Sequence, residues 1–429
     1  MTADAGTTGL RSVLRERLTR ELLATRNTAE GLVLDREDER LMAGSLLQRA
    51  LSDHAATRLR AGQPPLSQAD EDELVRDILA DAFGSGTLER YLADPTITDV
   101  IAHGCDVVHV VHADGRRRRV AALAGSDDEL VDLVRTLARE SGARFDAAGV
   151  EANFALGDGS RLFAAVGVAP RPVVVVRRHH LAELSLLSDL VRVAMVSQEL
   201  AELLRALVLA RQNVIVSGGT QAGKTTLCRA LCHEIPADEH VVTIEDTYEL
   251  ALHRDRERHP MVTPLLGRPP NSEGAGEVTL AQLTRMALRA SPDRVVVGEV
   301  RGPEVIPMLD AMSQGNDGSM GTVHASSSRA APTRLASYAV RAGQLRLEEA
   351  LFVVATAIDF VVHVARDADG TRRVASVREI SAAGSEGLII SSAELYVPGP
   401  DGRAEATGVP MSVERADVLR RAGYQRSRR

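Results

Sequence analysis

A single lysine, Lys224, stands among the 51 basic residues of this 429-residue chain, and it falls inside Gly218-Gly219-Thr220-Gln221-Ala222-Gly223-Lys224-Thr225. All other basic residues are arginine. So biased a chain keeps lysine where a compact ammonium on a flexible stem is needed, a task the planar guanidinium fork performs badly. The segment has the form G-x-x-x-x-G-K-T, the Walker A pattern of a phosphate-binding loop. Its flanks fit. Asn213-Val214-Ile215-Val216-Ser217 is a β-branched run suited to a buried strand, and Thr226-Leu227-Cys228-Arg229-Ala230-Leu231 continues as a helix. Such a loop works only between a buried strand and a helix N-terminus, which commits this part of the chain to an α/β fold. There the loop N–H groups and the first turn, through Thr226, face the α- and β-phosphates of ATP. Lys224 reaches the β/γ oxygens and Thr225 ligates Mg2+.

The charge of -8 argues against a nucleic-acid-binding body, so no direct nucleic-acid partner is expected. No run of 18 apolar residues exists, and the N-terminus lacks a basic-then-apolar signal pattern; a cytoplasmic address is the expectation. Cys228 and Cys232 lie four apart on the helix after the loop, without further ligands at metal spacing, and read as buried small side chains.

Residues 1 to about 60 read as helix, with Leu10, Val13, Leu14, Leu18, Leu22 and Leu23 at helical spacing. Ala61-Gly62-Gln63-Pro64-Pro65-Leu66-Ser67 reads as a linker. A second helix is expected over 70–82, strands over 99–102 and 107–111, and a hairpin turn at Asp114-Gly115. A helix over 126–139 and strands within 151–166 and over 173–177 follow. His103, His109 and His112 in this region read as surface or packing residues. The expected organisation is a helical N-terminal segment (1–66), an α/β domain (67–182), a P-loop domain (183–380) and a C-terminal extension (381–429).

Three constellations follow the loop. Val241-Val242-Thr243-Ile244-Glu245-Asp246-Thr247-Tyr248-Glu249 is a buried strand ending in carboxylates, and strand ends at the carboxyl edge of a parallel sheet face the ligand crevice. Glu245 and Asp246 are candidate Mg2+ ligands, and Glu245 and Glu249 candidates for positioning the attacking water. Pro292-Asp293-Arg294-Val295-Val296-Val297-Gly298-Glu299-Val300-Arg301 has the Walker B form, with Glu299 placed to order or deprotonate water. Gly321-Thr322-Val323-His324-Ala325-Ser326 delivers His324 towards the γ-phosphate.

P-loop, acidic box (T-I-E-D-x-x-E-L), Walker B form and His box (T-x-H-A), in that order, resemble the secretion ATPase superfamily of type II secretion, type IV pili and type IV secretion. Within it the chain most resembles the CpaF type, also called TadA, of tight-adherence (Flp) pilus systems. The resemblance covers most of residues 70–380, including Leu92-Ala93-Asp94-Pro95-Thr96-Ile97-Thr98-Asp99-Val100 and Arg268-Pro269-Pro270-Asn271. It implies an α/β fold: a RecA-like P-loop motor domain with an N-terminal α/β (PAS-like) domain and a leading helical segment. It further implies a homohexameric ring, peripheral at the cytoplasmic face of the membrane, that hydrolyses ATP with Mg2+ and drives pilus assembly or secretion through inner-membrane platform proteins. Nucleotide would bind between the two domains, with Arg161, Arg177 and Arg178 as the N-terminal arginines closing on the phosphates. Arg301 would serve a neighbouring nucleotide or an inter-subunit salt bridge.

Two positions depart from the pattern: Asn316 stands where a second histidine is usual, and Ser326 replaces an asparagine. The basic end (Arg420, Arg421, Arg426, Arg428, Arg429) reads as a solvated terminus. Two other readings stay open, a type IV secretion motor for DNA or effector transfer and a nucleotide-gated scaffold with little hydrolysis.

Overall fold

The computed structural model describes residues 10, 13–14, 17–18, 20–21, 36–83, 87–143, 145, 149–178, 185–268, 270, 275–343, 345–367, 369–381 and 390–424. These fall into two compact units, Met1–Arg178 and His179–Arg429.

In the first unit, helices α1 (Arg36–Arg60) and α2 (Gln68–Phe83) share one apolar cluster, Ala43, Leu47 and Leu51 packing with Leu74 and Ile78. Leu14 and Leu18 join it, whereas Val13 faces solvent; Leu22 and Leu23 lie outside the described residues. The Pro-containing stretch 61–67 thus connects two helices of a single cluster rather than two separate bodies. After α3 (Thr87–Ala93) come β1 (Ile97–His103), β2 (Val107–His112), β3 (Arg117–Val120), α4 (Asp127–Glu140), β4 (Glu151–Ala155), β5 (Arg161–Ala165) and β6 (Val173–Arg177). The strands form an antiparallel sheet in the order β3-β2-β1-β6-β5-β4. Alternation decides its buried face: Val100, Ala102, Val108, Val110, Leu162, Ala164, Val174 and Val176 all point into one cluster. Helix α4 covers that cluster with Leu130, Val134 and Leu137 and starts at Ser126, whose hydroxyl accepts from Glu129 N–H.

The second unit contains α5 (Leu187–Arg192), α6 (Gln198–Leu209), β7 (Val214–Gly218), α7 (Lys224–Cys232), β8 (Val241–Glu245), β9 (Val262–Leu266), α8 (Leu280–Ala287), β10 (Arg294–Val300), α9 (Val305–Ser313), β11 (Met320–His324), α10 (Ala330–Arg341), α11 (Leu347–Ala357), β12 (Phe360–Arg366), β13 (Arg372–Ile380), β14 (Ser392–Pro398), β15 (Ala404–Ala406) and α12 (Val413–Arg421). Its nine strands run in the order β15-β14-β13-β12-β7-β11-β10-β8-β9. The six from β12 to β9 are mutually parallel, and β13 to β15 add antiparallel strands at one edge. The parallel strands carry apolar residues on both faces because both faces are covered. Val214, Val216, Val296 and Val362 belong to the cluster under α6 and α7, while Ile215, Val295, Val297 and Val361 belong to the opposite cluster under α8 to α11. This is the expected mixed α/β, RecA-like P-loop arrangement, in which β11 separates the Walker A strand β7 from the Walker B strand β10.

At the N-terminal edge of these strands, Asn213 ties the sheet together: its side-chain amide donates to Met312 and Ala357 carbonyls and accepts from Gly318 and Ser319 N–H groups. Asn316, flagged in the sequence, donates to the Pro292 carbonyl in the same region. Arg294, with no exposed surface, donates to both Glu239 carboxylate oxygens at 2.7 Å. The stretch after 380 is not set apart. Strands β14 and β15 extend the sheet, Leu419 of α12 enters its apolar cluster, and Arg415 pairs with the buried Asp359 carboxylate. Arg420 pairs with Asp417 at 2.5 Å, and the last three flagged arginines lie outside the described residues. No helix among the described residues is long and apolar enough to cross a membrane.

Candidate active site

Parallel pairing brings four strand ends to one edge: His324 lies level with Gly218 across β11 and β7, Val300 level with Val323, and Ile244 level with Val297. The loop between β7 and α7 is built where side chains are excluded. A Cβ on Gly218 would meet the Val364 carbonyl oxygen at 2.5 Å, and Gly223 (φ 99°) and Gln221 (φ 60°) turn through left-handed conformations that orient their N–H groups inward. Lys224 is 7% exposed; its Nζ donates to the Gly219 carbonyl at 2.9 Å and lies 3.2 Å from His324 Nδ1. Burial lowers its proton affinity, and the charges of Glu299 and Glu249 oppose that shift. A glycine cradle closed by a half-desolvated ammonium fits a polyphosphate.

The chemistry-bearing side chains converge on this lysine. His324 Nε2 stands 2.8 Å from Glu299 Oε1, so one neutral tautomer donates to Glu299 through Nε2 while Nδ1 accepts from Lys224. Thr225 Oγ1 donates to Glu249 Oε2 at 2.9 Å, which places a hydroxyl and a carboxylate side by side, hard oxygen donors of the kind Mg2+ takes. A cleft of about 700 Å³ opens from His324 past Ser326, Arg329 and Thr333. Arg161, Arg177 and Arg178 belong to the first unit. Arg161 and Arg177 are register partners on β5 and β6; Arg161 donates to Asn153, Arg177 pairs with Asp99 at 2.9 Å, and Arg178 donates to the Asp94 carbonyl at 2.5 Å.

Two carboxylates of the acidic box are already engaged within the protein. Glu245 is only 3% exposed, and its Oε1 accepts from Glu249 and Leu250 N–H at 2.9 and 2.8 Å. Burial pushes its carboxyl up to about 8, so it holds its proton at neutral pH. Through Oε1 Glu245 ties the Glu249 turn in place, while among the described residues its buried Oε2 has no hydrogen-bond partner. A Cβ on Gly298 would lie 2.9 Å from the Glu245 Cγ, which accounts for glycine immediately before Glu299. Asp246 is engaged by the Arg301 guanidinium, which also stands 3.9 Å from Glu299. Sequence reasoning missed the Gln221–Arg366 contact at 2.9 Å and the buried Ser217–His363 contact at 3.0 Å. The available signal was Val362-His363-Val364, a polar residue inside an apolar run.

Comparison with known proteins agrees with this geometry. Residues 81–383 match the model of the family described as "Type II/IV secretion system protein". The putative conjugal transfer protein Rv3659c of Mycobacterium tuberculosis is 36% identical over 312 residues, covering 71% of this chain and 86% of that protein. The probable conjugal transfer protein TrbB of Sinorhizobium fredii is 32% identical over 216 residues, 50% of this chain and 61% of that one. Among solved structures, the VirB11 ATPase from the Brucella suis type IV secretion system is 26% identical, covering 68% of this chain and 94% of that one, with a TM-score of 0.36. With a family match spanning most of the chain and a near full-length relative at this identity, the protein belongs to the type II/IV secretion system family.

Proposed function

We propose that this protein hydrolyses ATP with Mg2+ and works as a homohexameric motor, cytoplasmic and peripheral at a membrane platform, in the CpaF/TadA branch that assembles tight-adherence pili. The observation that supports this most is the convergence of Lys224, His324, Glu299, Thr225 and Glu249 at one sheet edge. ATP supplies the scissile γ-phosphoryl group, and Mg2+ neutralises charge on its oxygens. Lys224 and the loop N–H groups from Gly219 to Thr225 bind the phosphates. Thr225 would hold the metal, with Glu249 beside it and Glu245 and Asp246 as the further carboxylates of the same strand end. Glu299, oriented by its contact with His324, positions water and takes its proton; His324 keeps Glu299 and Lys224 in fixed relation. Arg161, Arg177 and Arg178 belong to the same reading as the arginines that stabilise transition-state charge, each worth on the order of 10³ in rate if it acts as a finger.

Full-length protein with Mg2+-ATP is expected to release phosphate. Lys224→Ala should abolish nucleotide binding, and Glu299→Gln should abolish turnover while ATP still binds. Sustained turnover in Glu299→Gln removes that residue from its role. Light scattering with a non-hydrolysable analogue is expected to report a hexamer; a monomer with and without it defeats the ring motor. The names of the conjugal-transfer relatives favour a second cargo, substrates of type IV secretion, and a neighbouring prepilin or relaxase gene separates the two.

A further inference from the structure

Sheet order gives the phosphate-binding loop two unlike flanks. On one side of β7 lie β11 and β10 with His324 and Glu299; on the other lies β12. Val364 of β12 is level with Gly218, so the residues that follow run past the strand end at the level of the loop. There Arg366 of β12 faces Arg372 of β13 as its direct register partner. Arg366 Nη1 donates to Gln221 Oε1 at 2.9 Å, and the Arg372 Cδ lies 3.3 Å from where a Cβ on Gly223 would stand. Both arginines therefore touch the loop itself.

Like charges placed directly opposite on an antiparallel pair destabilise it. The next arginine, Arg373, is neutralised by Asp367, but among the described residues neither Arg366 nor Arg372 has an ion-pair partner. Both side chains are exposed, and the facing Arg366 charge contributes to a lowered proton affinity at Arg372. Because arginine does not give up its proton in a protein, the pair presents two fixed positive charges at the loop, which an anion bound there would neutralise.

We propose that Arg366 and Arg372 are nucleotide-binding residues that grip the diphosphate from the nucleoside side of the loop, opposite the Lys224–His324–Glu299 side. The proposal rests on the ATPase reading above. Their contacts fall on groups that ATP and ADP share, so ground state and transition state are held alike and the loss on mutation goes more into KM than kcat.

The test is titration of the full-length protein with Mg2+-ADP and with inorganic pyrophosphate, for wild type, Arg366→Gln, Arg372→Gln and the double variant. Each single change is expected to weaken ADP about fivefold or more and the double about twentyfold, as lost charge-assisted phosphate contacts do, with pyrophosphate weakened in parallel. The ligand-free melting temperature should rise as the repulsion is removed, while the increment added by ADP shrinks. Arg373→Gln serves as the control and should bind ADP like wild type. Three results overturn the inference: ADP affinity within about twofold of wild type in the double variant, unchanged pyrophosphate affinity, or a fall in ligand-free melting temperature with ADP binding intact. If Lys224→Ala loses ADP while the double variant keeps it, this inference fails and the ATPase reading stands. If wild type binds no ADP, both fall.

Discussion

Lowering the pH should destabilise the second unit through one pair of buried histidines. His233 caps the C-terminus of the phosphate-loop helix α7, and its Nδ1 lies 2.9 Å from His259 Nε2. The two are 9% and 4% exposed, and among the described residues His233 Nε2 has no hydrogen-bond partner. One neutral ring donates to the other, and a second proton destroys that arrangement. Burial, then the His259, Arg229 and Arg258 charges, push His233 down to about 4 from 6.5, against a smaller opposing effect of Asp255. His259 is lowered too, again mainly by burial. The sign follows from proton counting: between pH 6.5 and 4 the unfolded chain binds more protons at this site, so stability present above pH 6.5 is lost as the pH falls. Integrating for His233 alone gives a loss of about 2 kcal/mol at pH 5 and about 3 kcal/mol at pH 4. At about 2–4 °C per kcal/mol for a unit of this size, the melting temperature drops roughly 4–8 °C by pH 5 from this source. Other groups titrate as well, so the informative quantity is a difference. The double variant His233→Gln/His259→Gln should be less stable than wild type at pH 7.5, and the gap should close by about 2 kcal/mol at pH 5 in calorimetry or urea unfolding. A gap of the same size at both pH values would refute the reasoning.

Two further outcomes test other parts of the structure. Arg415→Ala removes the guanidinium from Asp359, whose carboxylate then keeps only the Asn213 N–H; a loss of about 3 kcal/mol is expected in urea unfolding, because a buried charge is left without its partner. Glu245→Gln preserves an oxygen that accepts from Glu249 and Leu250, so phosphate release should stay within about threefold of wild type, while Glu245→Ala strands both donors and should lose most activity; equal losses in the two variants would return a charged role to Glu245.

The parts legible in the sequence are those where a local pattern carries its own consequence. An apolar run buried on both faces and ending in a charged residue reads as a central strand with a functional tip, which is how Glu299 and His324 were found beside Lys224. Residue type, however, does not set charge state. Glu245 looks like its neighbours in sequence, and only its burial, which outweighs two backbone donors on one oxygen, raises its carboxyl. The stretch after 380 was illegible for a different reason: β14 is placed by pairing with β13 and β15 by pairing with β14, and α12 by Leu419 in the apolar cluster and by Arg415 on Asp359. Arg366 and Arg372 were hidden most deeply of all. They lie far along the chain from Gly223, and no spacing rule links them to it. What links them is the parallel pairing of β12 with β7, which sets Val364 beside Gly218 and so carries the following arginines to the loop. Whatever decides strand order in this sheet therefore also decides which cations meet the phosphates, and an arginine-rich chain with one lysine can recruit a second set of positive charges through topology alone.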